Sequence, residues 1–208
     1  MIADIKKEVK NAVIRSQHTQ RNWDLSREIP QDDVDLLVHA ITNCPSKQNM
    51  AFYNAHVITD RALIEQCHEL STGLGVPTET GERLNVTNPQ VLANVLIAFE
   101  KADLSDRAMK KWQLRDGGEQ EILERDINQA VGIAAGYLNV TAAMLGYATG
   151  CCACGDFEKI KEVLGLKNKL VLLMGIGFKD PNRQRREHHT AGVMIPRRPK
   201  EEIQVTYK

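Results

Sequence analysis

The stretch DINQAVGIAAGYLNVTAAMLG, residues 126–146, decides how the chain folds. It is long enough for more than five helical turns. From Ala130 to Gly146 it is apolar almost all round and rich in Ala and Gly. A surface helix shows one apolar stripe, so a helix without a clean polar face is expected to be buried on most sides. Its small residues, Ala130, Gly132, Ala134, Ala135, Gly136, Ala142 and Ala143, let other backbones come close. Glycine inside a helix costs roughly 0.5–1 kcal/mol relative to alanine, so its repetition predicts a packing reason. Asn128, Asn139 and Thr141 interrupt the run and charges precede it, which argues against a membrane span. Two readings stay open: a core helix of one domain, or a helix that packs on its own copy in a dimer with binding sites near its ends.

Working outward, Asp116-Gly117-Gly118 breaks the chain before this helix, and Asp103 to about Leu114 has helical character. VLANVLIAF, Val91 to Phe99, predicts a buried central strand, and the Gly/Pro/Thr/Glu-rich region Ser71 to Asn88 predicts a loop. Downstream, YATGCCAC predicts a strand leading into a turn. Asp156 then caps the helix FEKIKEVLG, and Gly165 suits its C-terminal end. Leu170 to Phe178 reads as another buried strand, broken by Gly175 and Gly177. A basic loop, Asp180 to Thr190, follows, and in the tail IPRRPKEEIQVTY the segment Ile203 to Tyr207 alternates like an edge or swapped strand.

Toward the N-terminus, Ala55 to Thr59 predicts a short strand, and Asp60 caps a helix carrying Leu63, Ile64, Cys67 and Leu70. Pro30 opens a helix with Val34, Leu37, Val38 and Ile41 on its buried stripe, ended near Asn43 by Pro45. Ile2, Ile5, Val9, Ala12 and Val13 share one face of a first helix. Interleaved helices and strands give an α/β or α+β class with a mixed sheet flanked by helices, and 208 residues suit a single domain spanning 1–208.

Lys plus Arg and Asp plus Glu balance at 27 each, so nothing global points to nucleic acid or to a membrane surface. The charged, amphipathic N-terminus has no signal-peptide character, which sets a cytoplasmic expectation. Five cysteines without a secretory signal do not predict a disulfide framework.

Four separated segments carry a family resemblance: HTQRNWD (residues 18–24), PSKQNMAFY (45–53), the Ala-rich helix running through Leu145-Gly146 to Asp156 and Leu164-Gly165-Leu166, and the RRPKEE tail (197–202). In this order and spacing the chain resembles the nitroreductase family of FMN enzymes over about residues 9–205. The resemblance implies a mixed α/β sheet flanked by helices, assembled as an intertwined homodimer with two FMN sites at the interface. Residues 196–208 would form an arm reaching the partner subunit. It implies NADH or NADPH as electron donor and a small acceptor (nitroaromatic, quinone or enone), with hydride passed through flavin N5 by a ping-pong route and no catalytic side chain.

The resemblance also implies where the cofactor binds. His18 and Thr19 would lie near the ribityl phosphate, and Arg21 near the pyrimidine edge, where a cation stabilises reduced flavin. Arg197 or Arg198 would grip the phosphate, a role suited to the guanidinium fork. Pro45, Ser46, Lys47 and Asn49 would line the flavin, partly from the second subunit. Asn85 would contact the pyrimidine side, and the backbone at Ala153 and Cys154 would approach N5. The sequence departs from the family pattern at Gln17, at Ile195-Pro196 and at Ala51-Phe52-Tyr53. A non-enzymatic flavin-binding protein, or a dimeric scaffold without FMN, stands as the alternative.

Two further patterns attract attention. Cys151, Cys152 and Cys154 lack the paired spacing of a zinc site, so they read as small, partly buried apolar residues, with a role for Cys154 in flavin reactivity left as a hypothesis. The run RQRREHH, residues 183–189, contains Glu187 and no interleaved aromatics. It reads as a mobile surface loop or a dimer contact rather than a nucleic-acid site.

Overall fold

The computed structural model describes residues 2–77, 80–105, 109–110 and 120–208. Four strands form the main sheet: β1 (Tyr53–Ile58), β4 (Val95–Lys101), β5 (Ala148–Cys152) and β6 (Leu170–Gly177), in the order β1-β4-β6-β5. Each neighbouring pair is antiparallel, with Ala55 opposite Phe99, Ile97 opposite Met174 and Gly150 opposite Gly175. β2 (Leu74–Pro77) and β3 (Arg83–Val86) make a separate hairpin.

Period-2 alternation on β4 builds both faces. Val95, Ile97 and Phe99, with Met174 and Ile176 of β6, meet α2 (Gln31–Thr42) and the long helix α4 (Gln120–Met144). Leu96, Ala98 and Leu173 face the other way, onto Ile64 and Cys67 of α3 (Arg61–Leu70) and Ile160 of α5 (Phe157–Val163). The result is a three-layer α+β domain. Its caps follow the sequence: Asp60 accepts from the Ala62 and Leu63 amides, Asp156 accepts from that of Lys159, and Gly165 takes φ +63° after α5. Among the described residues no helix is long and apolar enough to cross a membrane.

Several expectations change. The strand expected at residues 91–99 starts at Val95, because residues 88–92 form a hydrogen-bonded turn; Val91 and Leu92 are buried all the same. That turn lies directly on β6, where a Cβ on Gly175 would stand 2.0 Å from the Gln90 carbonyl oxygen. The region 71–88, expected as a loop, contains the β2–β3 hairpin. Residues 203–207 form no strand and are exposed. Most of the helix expected at 103–114, and any lid at 105–118, falls outside the described residues.

One protomer separates the two readings of α4. Its own chain does not cover the helix on every side: Gly132, Ile133, Gly136, Tyr137 and Met144 form an open face, with Ile133 40%, Tyr137 48% and Met144 58% exposed. Ile127, Val131, Ala134, Leu138 and Ala142 are buried on the opposite side. The helix is apolar all round because it carries two apolar faces, of which the fold of one chain covers only one. α1 (Ile2–Ser16) shows the same feature, with Ala12 buried and Ile2, Ile5, Val9 and Val13 exposed.

Candidate functional site

The segment after α1 runs extended along the edge of β5. The Gln20 amide donates to the Thr149 carbonyl at 2.8 Å, and Thr19 bridges Thr149 in parallel. Alternation then sorts its side chains. Gln20 and Asn22 are buried, and the Gln20 amide donates to the Asn22 carbonyl at 2.6 Å. Gly150 allows this approach, since a Cβ there would sit 2.7 Å from Gln90 and 3.1 Å from the Gln20 carbonyl oxygen. Thr19 and Arg21, on the alternate positions, line a cavity of about 1170 Å³. Trp23 anchors the far end, its indole donating to the Pro89 carbonyl at 2.7 Å.

The opposite wall comes from the C-terminal region. Asn22 ties down the loop at 184–187 by donating to the Gln184 carbonyl and, at 3.3 Å, to that of Glu187. His188 is fully buried. Its Nδ1 lies 3.2 and 3.0 Å from the Thr190 and Ala191 amides and must accept, so Nε2 donates to the Thr87 carbonyl at 2.8 Å. The chain then doubles back: the His188 amide donates to the Val193 carbonyl at 2.8 Å and the Ile195 amide to that of Arg186 at 2.9 Å. This hairpin delivers Arg197 and Arg198 to the same cavity as Arg185 and Arg186, with Lys200 at its rim. Leu74, Gly75 and Pro77 of the β2–β3 hairpin and Ile195 and Pro196 complete the wall.

The electrostatics are one-sided. Burial, and behind it the charges of Arg185, Arg186 and Arg198, lower the pKa of Arg21 from its ordinary value. Burial and then Arg185, Lys179 and Arg197 lower that of His18. The Arg21 Nε is buried without a hydrogen-bond partner. Its NH1 donates to the Thr19 carbonyl at 3.5 Å, so the Nε is the donor without a partner among the described residues, and it suits an anion that accepts from it.

The structure thus brings His18, Thr19, Arg21, Arg197 and Arg198 together. It places Pro45, Ser46, Lys47 and Asn49 elsewhere, in the turn after α2. Ser46 Oγ donates to the Met50 carbonyl at 2.8 Å and the Asn49 amide to the Ser46 carbonyl at 3.2 Å. Gln48 and Asn49 both hold left-handed backbone, φ 56° and 53°, and the buried Gln48 amide has no partner. Such strain costs on the order of 1 kcal/mol per residue and concentrates at functional sites. Ser46 and Asn49 line a second cavity of about 500 Å³ with Cys44, Met50 and Tyr53, and it shares no lining residue with the first. Lys47 points to buried Asp126, 2.6 Å away.

Asn85 is paired with Gly75, whose backbone lines the large cavity, but does not line it itself. Ala153 and Cys154 are exposed after β5 and line neither cavity. Gly155, beside them, takes φ +120° against Ser71, which fixes the turn. Sequence reasoning missed Arg185 and Arg186 by reading 183–189 as a surface loop. The available signal was the pair His188-His189, since two adjacent histidines within a basic run are candidates for burial. Cys151 is exposed and Cys152 buried, and among the described residues no group of three or more His, Cys, Asp or Glu is placed to hold a metal ion.

Comparison with known proteins agrees with this architecture. No curated protein sequence matches the chain. Among solved structures, YdfN of Bacillus subtilis, assigned as a nitroreductase, is 13% identical and superposes with a TM-score of 0.71, all of each chain being covered. A Staphylococcus epidermidis protein assigned as an NAD(P)H:FMN oxidoreductase is 18% identical, with a TM-score of 0.62 over 89% of this chain and 91% of that one. An Exiguobacterium sibiricum protein assigned as a nitroreductase and solved in complex with FMN is 16% identical, with a TM-score of 0.60 over 83% and 89%. At these identities the likeness is one of fold. The sequence model of the nitroreductase family, however, matches residues 14–178, most of the chain, and the chain therefore belongs to the nitroreductase family.

Proposed function

We propose that this protein is an FMN-dependent oxidoreductase that takes electrons from NADH or NADPH and passes them to a small acceptor, such as a nitroaromatic, quinone or enone. One observation carries the reading: a family member presents a cavity lined by five arginines, with the Arg21 Nε buried and unpartnered on its wall. The neighbours assigned as an NAD(P)H:FMN oxidoreductase and solved with FMN support the choice of cofactor.

The residues present fit FMN. A phosphate monoester needs cations and hydroxyl donors, and Arg197, Arg198 and Thr19 supply them. Arg21 offers a fixed cation to a ring edge that gains negative charge, while the His18 imidazole, its pKa lowered by burial and the neighbouring cations, offers a hydrogen-bonding group. Leu74, Pro77, Ile195 and Pro196 exclude water on the apolar side. Bound FMN would supply the redox chemistry. Exchange of donor and acceptor over it requires no protein acid or base, so no catalytic side chain is proposed.

The second half of the site comes from a second copy in this reading. Pro45, Ser46 and Asn49 belong to a strained turn that borders its own cavity, and Lys47 holds that turn to α4. The open faces of α1 and α4 support a homodimer through these helices. β1 is the free edge of the sheet, since β5 is covered by the segment at Thr19. The exposed tail, with Ile203, Val205 and Tyr207 on alternate positions, suits addition to such an edge in the partner. The five cysteines are free thiols, which suits a cytoplasmic enzyme.

The test is the visible spectrum of the purified protein after FMN loading and removal of excess, followed by anaerobic NADPH or NADH. A retained flavin band that bleaches is the expected result. A band that persists with either donor would instead support a flavin-binding module without turnover, and a colourless protein would end the FMN reading.

A further inference from the structure

Six fixed cations line the large cavity, and among the described residues no Asp or Glu lines it. With Arg21 assigned to the flavin ring edge, one phosphate monoester of charge about −2 near pH 7 leaves about three of them unmatched. The volume, about 1170 Å³, exceeds the roughly 300–1,000 Å³ that encloses a single drug-sized ligand. Charge and space both exceed what one FMN needs.

The loop at 183–187 shows where the excess lies. Arg183 is neutralised locally, 3.6 Å from Asp180 and 3.8 Å from Glu187. Arg185 and Arg186, two and three positions on, have no carboxylate partner among the described residues. They are held by backbone carbonyls alone: Arg185 donates to that of Thr19 at 3.4 Å and Arg186 to that of Ile195 at 2.9 Å. A guanidinium carries five N–H donors, so most of each fork is left for a ligand. Both arginines also crowd Arg21, whose pKa they lower after burial does, and an anion between them would relieve that repulsion.

We infer that Arg185 and Arg186 form a second phosphate subsite, beside the one assigned to FMN, which receives a phosphate carried by the other redox partner. The inference rests on the FMN reading for the first subsite. Two ligands share the required chemistry. One is a nicotinamide donor with a phosphate on its adenosine ribose, NADPH rather than NADH. The other is an acceptor that is itself a phosphate ester.

The experiment titrates 2′,5′-ADP and 5′-AMP calorimetrically into the FMN-saturated protein and the FMN-free protein. It is repeated with Arg185→Ala and with the double variant Arg185→Ala/Arg186→Ala. The FMN-saturated protein is expected to bind 2′,5′-ADP at least tenfold tighter than 5′-AMP. Each variant should weaken that binding at least tenfold while FMN affinity, read by flavin fluorescence, changes less than threefold. A tenfold fall in kcat/KM for NADPH with NADH unchanged would assign the phosphate to the donor. An equal effect on both donors, with a tenfold loss for 4-nitrobenzyl phosphate and none for 4-nitrobenzyl alcohol, would assign it to the acceptor.

Three results would overturn the inference: variants that bind 2′,5′-ADP like the wild type, exclusion of 2′,5′-ADP by FMN, or loss of FMN from the Arg185→Ala variant. Failure of the FMN reading looks different. The wild type would then take up no FMN, yet would bind 2′,5′-ADP through Arg185 and Arg186.

Discussion

The arginine cavity and the Pro45–Met50 turn are both candidate halves of one site, and they are built in opposite ways. The cavity is assembled from four distant parts of a single chain and tied by buried hydrogen bonds from Gln20, Asn22 and His188. The turn is local, strained at Gln48 and Asn49, and tied to α4 by an ion pair from Lys47 to Asp126. The described residues of one protomer bring the basic lining of the first together. The second borders a separate cavity, on a molecule whose α1 and α4 leave apolar faces open. The difference teaches that one chain's fold gathers the cations, while under the proposed function the rest of the site depends on assembly.

The cavity half breaks most sharply at Arg21. Arg21→Ala removes the cation with the unpartnered Nε, and charge-assisted hydrogen bonds contribute about 1.5–3 kcal/mol each. FMN affinity should fall about 100-fold in a fluorescence titration, the equivalent of roughly 2.7 kcal/mol. Folding stability should not fall with it, because the variant relieves a crowded, buried charge. A change in affinity below threefold would remove Arg21 from the site.

Acid separates the two halves. Burial, then His188, His189 and Arg61, pushes the His68 pKa down to about 4, and burial also lowers those of His188 and His189. The folded-state values lie below the unfolded one of about 6.5, so the unfolded chain takes up protons first. This stability is whole above pH 6.5 and is lost as pH falls toward 4, with a share for His68 on the order of 3 kcal/mol. His68 and His188 both hold Thr87, beneath the loop that carries Arg185 and Arg186. Asp126 behaves in the opposite sense. Burial pushes its carboxyl up, but Lys47 and Arg125 outweigh that and hold it below its usual range. Its contribution persists above about pH 4 and is lost only below. Between pH 6 and 4.5, hydrogen exchange should therefore show protection lost at 184–195 before residues 45–50.

The turn half is probed by Lys47→Ala. Removing one partner of a buried ion pair costs about 3–5 kcal/mol, and here Arg125, 3.2 Å from Asp126, softens the loss. We expect about 2 kcal/mol in chemical denaturation, with FMN affinity within threefold, because the Lys47 ammonium pairs with Asp126 rather than lining either cavity. A large loss of FMN at unchanged stability would return Lys47 to the flavin.

The sequence spoke clearly where signals were local. The caps at Asp60 and Asp156 and the stop at Pro45 each depend on a few adjacent residues, and their elements stand where expected, whereas β6 runs unbroken through Gly175 to Gly177 where the glycines predicted a break. It spoke less clearly where a tertiary partner decides. Val91 and Leu92 are as apolar as the strand that follows, and only the packing of Gln90 on Gly175 makes them a turn. The HTQRNWD and RRPKEE segments lie about 180 residues apart, and composition does not announce that they meet. Their approach rests on Asn22 and His188, buried polar residues that in sequence resemble any others. What covers α4 is ambiguous in sequence for a related reason, since an apolar face looks the same whether its own chain or another copy covers it.

That ambiguity gives the smallest expected effect and a sign that can be read. A Cβ added at Gly132 or Gly136 meets nothing within 4 Å in the protomer. If the α4 face stays open in solution, Gly136→Ala adds helix propensity alone and stabilises by about 0.5–1 kcal/mol. If a second copy packs there through the small residues, the same methyl overfills the contact and costs about 1–3 kcal/mol. It also makes the thermal midpoint fall more steeply on dilution, since the folded form then depends on association. Thermal unfolding of wild type and variant at two concentrations tenfold or more apart distinguishes the cases, and we expect the destabilising, concentration-dependent one. A stabilised, concentration-independent variant would leave α4 a one-sided helix and require the Pro45–Met50 turn to work within its own chain.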